Sequence, residues 1–132
     1  MKRPPRILIA GAGIGGLTAA LSLLRRGYDV QVFEQAAELR EVGAGLQLSP
    51  NGLRALFQLG VGDALEALAS EPEGKEIRLW STGQTWKLFD LGKTAVADYG
   101  YPYFMIYRPD LHKVLLDAVR AIKADAIMLG AQ

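Results

Sequence analysis

A chain of 132 residues has the length of one domain and can bury an ordinary hydrophobic core. Half of its residues are hydrophobic and 22% are charged, which excludes a disordered or low-complexity protein. Fifteen Lys and Arg against fourteen Asp and Glu leave a net charge of +1, and with no Cys and one His the chain lacks a field for nucleic acid, disulfides, thiolate chemistry and a His-based metal site.

The start, Met1-Lys2-Arg3-Pro4-Pro5, is basic, but the apolar run after it is too short for a signal peptide. No apolar run approaches the roughly 18–20 residues that span a bilayer, so a cytoplasmic protein is expected. Arg6-Ile7-Leu8-Ile9-Ala10, bounded by Pro5 and Gly11, reads as a strand buried on both faces. From Gly15 to Arg26 the pattern is helical, with Leu17, Ala20, Leu21 and Leu24 on one face. Arg25 and Arg26 suit the negative end of the helix dipole, and Gly27 suits the C′ position. Val30 to Phe33 is a second short strand, so the segment is a βαβ unit with parallel strands.

Residues 36–49 read as a long loop. Ser49 as N-cap and Pro50 at N1 then open a short helix that carries Leu53, Leu56 and Phe57 and stops at Gly60. Asp63 to Ser70 reads as another short helix. Ile77–Trp80 and Thr85–Phe89, around Ser81-Thr82-Gly83-Gln84, read as a hairpin. Trp80, Trp86 and the aromatics from Tyr99 to Tyr107 are expected in core or sheet packing. Pro109 at N1 opens a last helix with Leu111, Val114, Leu115, Ala118, Val119 and Ile122 on one face, and Ala126–Leu129 reads as a final strand.

Gly11-Ala12-Gly13-Ile14-Gly15-Gly16 is G-x-G-x-x-G, with a strand before it and a helix after it. Gly11 allows the tight turn, Gly13 lets a pyrophosphate approach the backbone, and Gly16 lets the helix pack closely. The N–H groups around Ile14 and Gly15 and the positive helix end suit phosphates. Glu34, eighteen residues after Gly16, suits the two ribose hydroxyls and disfavours a 2′-phosphate; Gln35 is placed beside it in the same site. The fold class expected is therefore α/β, a Rossmann-like βαβ domain with a three-stranded parallel part. The alternative for these residues is a glycine turn with a surface Glu. The unit serves NAD and FAD alike, so the motif does not choose between them.

Residues Leu39-Arg40-Glu41-Val42-Gly43-Ala44-Gly45-Leu46-Gln47-Leu48-Ser49-Pro50-Asn51 and Ile106-Tyr107-Arg108-Pro109-Asp110-Leu111-His112 add to the fingerprint. In this order they resemble segments of the FAD-dependent aromatic-ring monooxygenases of the salicylate and hydroxybenzoate hydroxylase type. The resemblance implies an FAD-binding domain in an enzyme that uses NAD(P)H and O2 to hydroxylate a small aromatic substrate. It implies that Arg108 contacts FAD and that a backbone group near Leu129 lies by the adenine. By their residues alone, Arg40 either returns to the pyrophosphate or pairs within the Glu38-Arg40-Glu41 cluster. Arg108 either contacts the cofactor or pairs with Asp110. Gly43 and Gly45 either let backbone lie against a flat ring or form an ordinary turn. Gln47 stands where some relatives carry a His near the flavin or substrate, so no catalytic residue is assigned. His112 is expected to be a solvated or capping side chain.

The family's Asp-Gly and Gly-Asp segments are not found in the chain, which is therefore expected to correspond to the N-terminal part of such an enzyme. Residues 1–72 and 101–132 are expected to form the FAD-binding domain, incomplete, and 73–100 to begin the substrate-domain sheet as a hairpin excursion. The first strand is expected to keep one open edge and to self-associate through it. No metal and no membrane or nucleic-acid partner is expected. The competing readings are a non-catalytic module that binds NAD or ADP and a fragment of an NAD-dependent dehydrogenase.

Overall fold

A computed structural model describes residues 5–40 and 43–131. The structure divides into two compact units, one from the two ends of the chain up to Ala44 and from Arg108 onward, the other from Gly45 to Tyr107. Glu41 and Val42 of the resemblance segment, and the basic start up to Pro4, lie outside the described residues.

The first unit holds β1 (Arg6–Ala10), α1 (Ile14–Leu24), β2 (Asp29–Phe33), α5 (Arg108–Ile122) and β7 (Ile127–Met128). Its sheet has the order β1-β2-β7 and both pairings are parallel. The register sets Ile7 beside Val30, Ile9 beside Val32, and Val32 beside Ile127. These branched residues share one face, because side chains alternate along a strand. α1 packs on β1 and β2 and against α5. Val30, Val32, Leu17, Ala20, Leu21, Leu111, Leu115 and Val119 are buried in the resulting core. Truncating one of these leucines to Ala costs about 2–5 kcal/mol.

β1 is not buried on both faces. Leu8 is 64% exposed and Met128 is 51% exposed, because the helices cover only the face that carries Ile7 and Ile9. Among the described residues β1 is an edge strand, paired with β2 alone. At the strand starts, Arg6 Nε lies 2.7 Å from Asp29 and Lys123 Nζ 2.8 Å from it. α1 ends at Leu24, two residues short of the expected stop. Arg26 then reaches back to the Ser22 carbonyl at 3.0 Å, and Gly27 takes φ +83 to turn the chain into β2.

The second unit holds β3 (Gly45–Leu48), α2 (Pro50–Gln58), α3 (Gly62–Glu66), β4 (Gly74–Arg78), β5 (Thr85–Asp90), α4 (Lys93–Tyr99) and β6 (Phe104–Tyr107). The expected loop at 36–49 ends in a strand, since β3 pairs antiparallel with β6 from Gly45–Tyr107 to Leu48–Phe104. That partner lies far along the chain, and four residues are too few for a visible alternation. The two compact units divide at 44/45 and 107/108. Leu53, Leu56, Val61, Leu65, Phe104 and Ile106 form the buried core of this unit. Phe57 meets Tyr101 edge-on at 5.7 Å. α2 starts at Pro50 as expected, but the Ser49 hydroxyl bonds Asn51 rather than a helix amide. α4 lies where the reading had only sheet character, delimited by Gly92 and Gly100, both at positive φ.

The hairpin β4–β5 forms with a register shift at Lys75/Glu76. Both of its strands are exposed throughout. Trp80 is 93% exposed and Trp86 46%, so neither is a core residue. Two strands alone have no second layer to bury them against.

In the glycine turn Gly16 leaves no room for a side chain. A Cβ on Gly16 would lie 1.9 Å from the Gly11 carbonyl oxygen, which is backbone and cannot swing aside. A Cβ on Gly15 would meet no atom within 4 Å. Gly16→Ala is therefore expected to lower stability by about 1–3 kcal/mol or more, and Gly15→Ala to leave it near the parent value, as measured by urea denaturation.

Candidate functional site

Three parallel strands bring their carboxyl ends to one edge of the sheet. β1 runs into Gly11–Gly16, β2 into Glu34–Arg40, and β7 into Leu129–Ala131. Ligands of open α/β sheets bind at this edge. Gly11 takes φ +98 and donates its N–H to the Phe33 carbonyl at 2.7 Å, tying the turn to β2. Gly13 is the N-cap of α1, in extended backbone, and its carbonyl accepts from Leu17 N at 2.9 Å. No side chain caps this helix and no acidic residue lies in its first turn. The first-turn amides of a helix have no partner within it, and with the positive end of the dipole they attract an anion. Cβ positions on Gly13 and Gly15 face open space, so a phosphate can reach the backbone there.

Glu34 closes the site from β2. Its Oε2 accepts from Ala12 N at 2.8 Å and its Oε1 from Ala36 N at 2.9 Å. These backbone donors, Ala12 first, hold the carboxyl below its ordinary value of 4.5. Each carboxylate oxygen keeps a second lone pair for a further donor. Around it the chain is pinned by Glu34 N to Met128 O at 2.8 Å, Ala131 N to Glu34 O at 3.0 Å and Gly130 N to Ala36 O at 2.9 Å. Leu129 therefore sits beside the Glu34–Ala36 turn, together with exposed Gln35. A cleft of about 140 Å³ runs between Gly13, Glu34, Arg40 and His112. Arg40 is on its wall and also bonds Glu38 at 2.9 Å, the pairing within its charge cluster.

Arg108 is the first residue of α5, and its N–H donates to Ala44 O at 3.2 Å. A Cβ on Gly43 would fall 2.9 Å from Arg108 Cβ, so the arginine stem lies against that glycine. The first unit thus gathers Gly11, Gly13, Ile14, Gly15, Gly16, Glu34, Gln35, Arg40, Arg108 and Leu129. Gly45 and Gln47 belong to the second unit, on β3. Gln47 Oε1 accepts from the Tyr103 hydroxyl at 2.6 Å. The second unit also has a largely apolar hollow of about 680 Å³ between Pro50, Phe89, Leu91, Ala95, Tyr99 and Tyr103. Among the described residues no group of His, Cys, Asp and Glu could hold a metal.

His112 is neither solvated nor a cap. It is 5% exposed, and its Nε2 donates to the Ala12 carbonyl at 2.7 Å. The sequence holds one signal for this. His112 follows Arg108 by four residues, so both lie on one face of α5.

A family model described as an FAD binding domain matches residues 5–126. The chain is 46% identical over 113 residues to 3-amino-4-hydroxybenzoate 2-monooxygenase PtnB3 of Streptomyces platensis, an alignment covering 86% of this chain and 28% of that protein. Among solved structures, a tetrameric form of 2-methyl-3-hydroxypyridine-5-carboxylic acid oxygenase matches with TM-score 0.82 and 32% identity, over 98% of this chain and 32% of that one. Klebsiella pneumoniae HpxO in complex with FAD and uric acid matches with TM-score 0.76 and 27% identity, over 95% of this chain and 30% of that one. The chain thus spans about a third or less of the length of the proteins it matches.

The lowered carboxyl of Glu34 gives a pH dependence of definite sign. Its stabilisation is fully present above the ordinary value of 4.5 and is lost as pH falls through the lowered folded value. Glu34→Gln should melt below the parent at neutral pH, because one amide end cannot accept. The gap between the two should close on acidification, as followed by circular dichroism melts across the acid range. Asp29, lowered chiefly by Lys123 and then by Arg6, acts alike in both proteins and cancels from the comparison.

Proposed function

Because the chain belongs to the FAD binding domain family, we propose that it forms the cofactor-binding part of a flavin-dependent monooxygenase that hydroxylates a small aromatic ring with NAD(P)H and O2. One observation carries this reading. The open backbone at Gly13 and Gly15 and the Glu34 carboxylate stand at the same edge of one parallel sheet. A pyrophosphate fits the first and a ribose diol the second. When bound, FAD supplies the redox chemistry, taking up a hydride from the nicotinamide and activating oxygen.

The residues of this chain bind and orient. The amides of Ile14, Gly15 and Gly16 receive the diphosphate, with Gly11 and Gly16 shaping the turn. Glu34 receives the ribose, its charge set against a 2′-phosphate, and Gln35 and Leu129 flank the adenosine. Arg40, on the cleft wall, and Arg108, at the start of α5, add positive charge for the diphosphate. Gly45 and Gln47 approach the flavin end. The hairpin of residues 73–100 belongs with the substrate-binding sheet, and its uncovered faces support that assignment. Among the described residues no helix is long and apolar enough to cross a membrane, and the cytoplasm is the compartment we assign.

The open edge of β1, with Leu8 exposed beside it, supports self-association of the chain. Light scattering on a dilution series should show a mass that falls with concentration, and a constant monomer mass would remove this part of the reading.

Gly13→Val tests the cofactor site. Valine suits the extended backbone at Gly13, and its Cβ meets no atom within 4 Å, so the apo fold should melt as the parent does. Its branches would occupy the space of the pyrophosphate. FAD affinity, read by flavin fluorescence titration, should fall about 100-fold, or about 2.7 kcal/mol. Unchanged affinity would refute the site.

A further inference from the structure

Among the described residues His112 is the one buried polar side chain, and it sits in a core otherwise built from aliphatic groups. Filling space there needs no imidazole. The partner of its Nε2 is the carbonyl of Ala12, the residue whose N–H is held by Glu34 Oε2. Ala12 itself is 1% exposed. In a planar trans peptide the C=O and the following N–H point in opposite directions. Holding the Ala12 carbonyl therefore sets the direction of the Gly13 N–H. Holding the Ala12 N–H likewise sets the direction of the Gly11 carbonyl, which lies against Gly16. Two successive peptide planes of the glycine turn are each fixed by one side chain, Glu34 from β2 and His112 from α5.

We propose that His112 is a positioning residue for dinucleotide binding, which orients the Ala12–Gly13 peptide so that the turn accepts a diphosphate. The proposal rests on the FAD reading of this site. It also links α5 to the cofactor twice along one helix face, through Arg108 at its start and His112 one turn later. The imidazole acts through the peptide and donates from Nε2, so what matters is an N–H at that point in space. Glutamine can place an Nε2–H there; methionine fills similar space without a donor.

The test uses the full 132-residue chain and the variants His112→Gln and His112→Met. Three quantities are read: FAD and ADP affinity by titration, apo melting temperature, and the Ala12 and Gly13 amide resonances. The expected result is that His112→Met loses about tenfold in affinity for FAD and ADP alike, with both amides shifted. His112→Gln should restore affinity and resonances toward the parent, whatever the two melting temperatures are. Parent-like affinity in His112→Met overturns the proposal. So does a loss in both variants that tracks their melting temperatures, since that is a packing effect. A parent chain that binds neither FAD nor ADP overturns the FAD reading, and unshifted Ala12 and Gly13 amides in His112→Met overturn the role of His112 separately.

Discussion

The glycine turn works because one small residue, Ala12, is gripped at both ends of its backbone. Glu34 takes its N–H at 2.8 Å and His112 takes its carbonyl at 2.7 Å. A segment with four glycines in six residues has wide conformational freedom in the unfolded chain, and ordering it is entropically costly. Hydrogen bonds in a buried place offset that cost, and losing a partner there leaves a buried polar group unsatisfied at about 1–3 kcal/mol. The same grip connects three elements, since Glu34 ends β2, His112 belongs to α5, and the turn joins β1 to α1. The geometry of this turn therefore depends on three elements of the unit at once.

Close approach is the second constraint, and it depends on the absence of side chains. Gly16 rests against the Gly11 carbonyl, and Gly43 rests against the stem of Arg108. At Gly13 and Gly15 the missing Cβ has the opposite effect, since a Cβ there would face open space. The glycines of one short motif thus divide between packing inward and opening outward. The Glu34 carboxylate beside this space is held ionised chiefly by the backbone donors Ala12 and Ala36.

The core of the first unit is one-sided. α1 and α5 cover the face that carries Val30 and Val32, while Leu8 and Met128 stay exposed on the other. In a doubly wound sheet both faces are covered, and strands of branched residues such as Arg6–Ala10 have the composition for that. The second unit shows the same feature in its hairpin, where Ile77, Trp86, Leu88 and Phe89 are each about half exposed. Apolar surface of this kind is the mark of an interaction face.

Local chemistry made much of this legible in the residues themselves. The G-x-G-x-x-G turn, the βαβ unit, the Pro50 and Pro109 helix starts and the hairpin all follow from short-range rules of periodicity, capping and turn formation. The position of Glu34 just after β2 was legible because strand length sets its distance from the turn. What depended on partners remote in the chain was not legible. β3 is a strand only because β6 pairs with it. β1 has an alternation of exposure that its continuous apolar run conceals, because exposure depends on which layers are present. His112 read as a solvated side chain, since its hydrogen-bond acceptor lies 100 residues away and no local rule connects the two. Composition and spacing determined the β1–α1–β2 unit, its glycine turn and the carboxylate that follows β2. Tertiary structure alone decided which side chain from α5 would hold that turn in place, because a hydrogen bond needs coincidence in space and sequence separation carries no record of it.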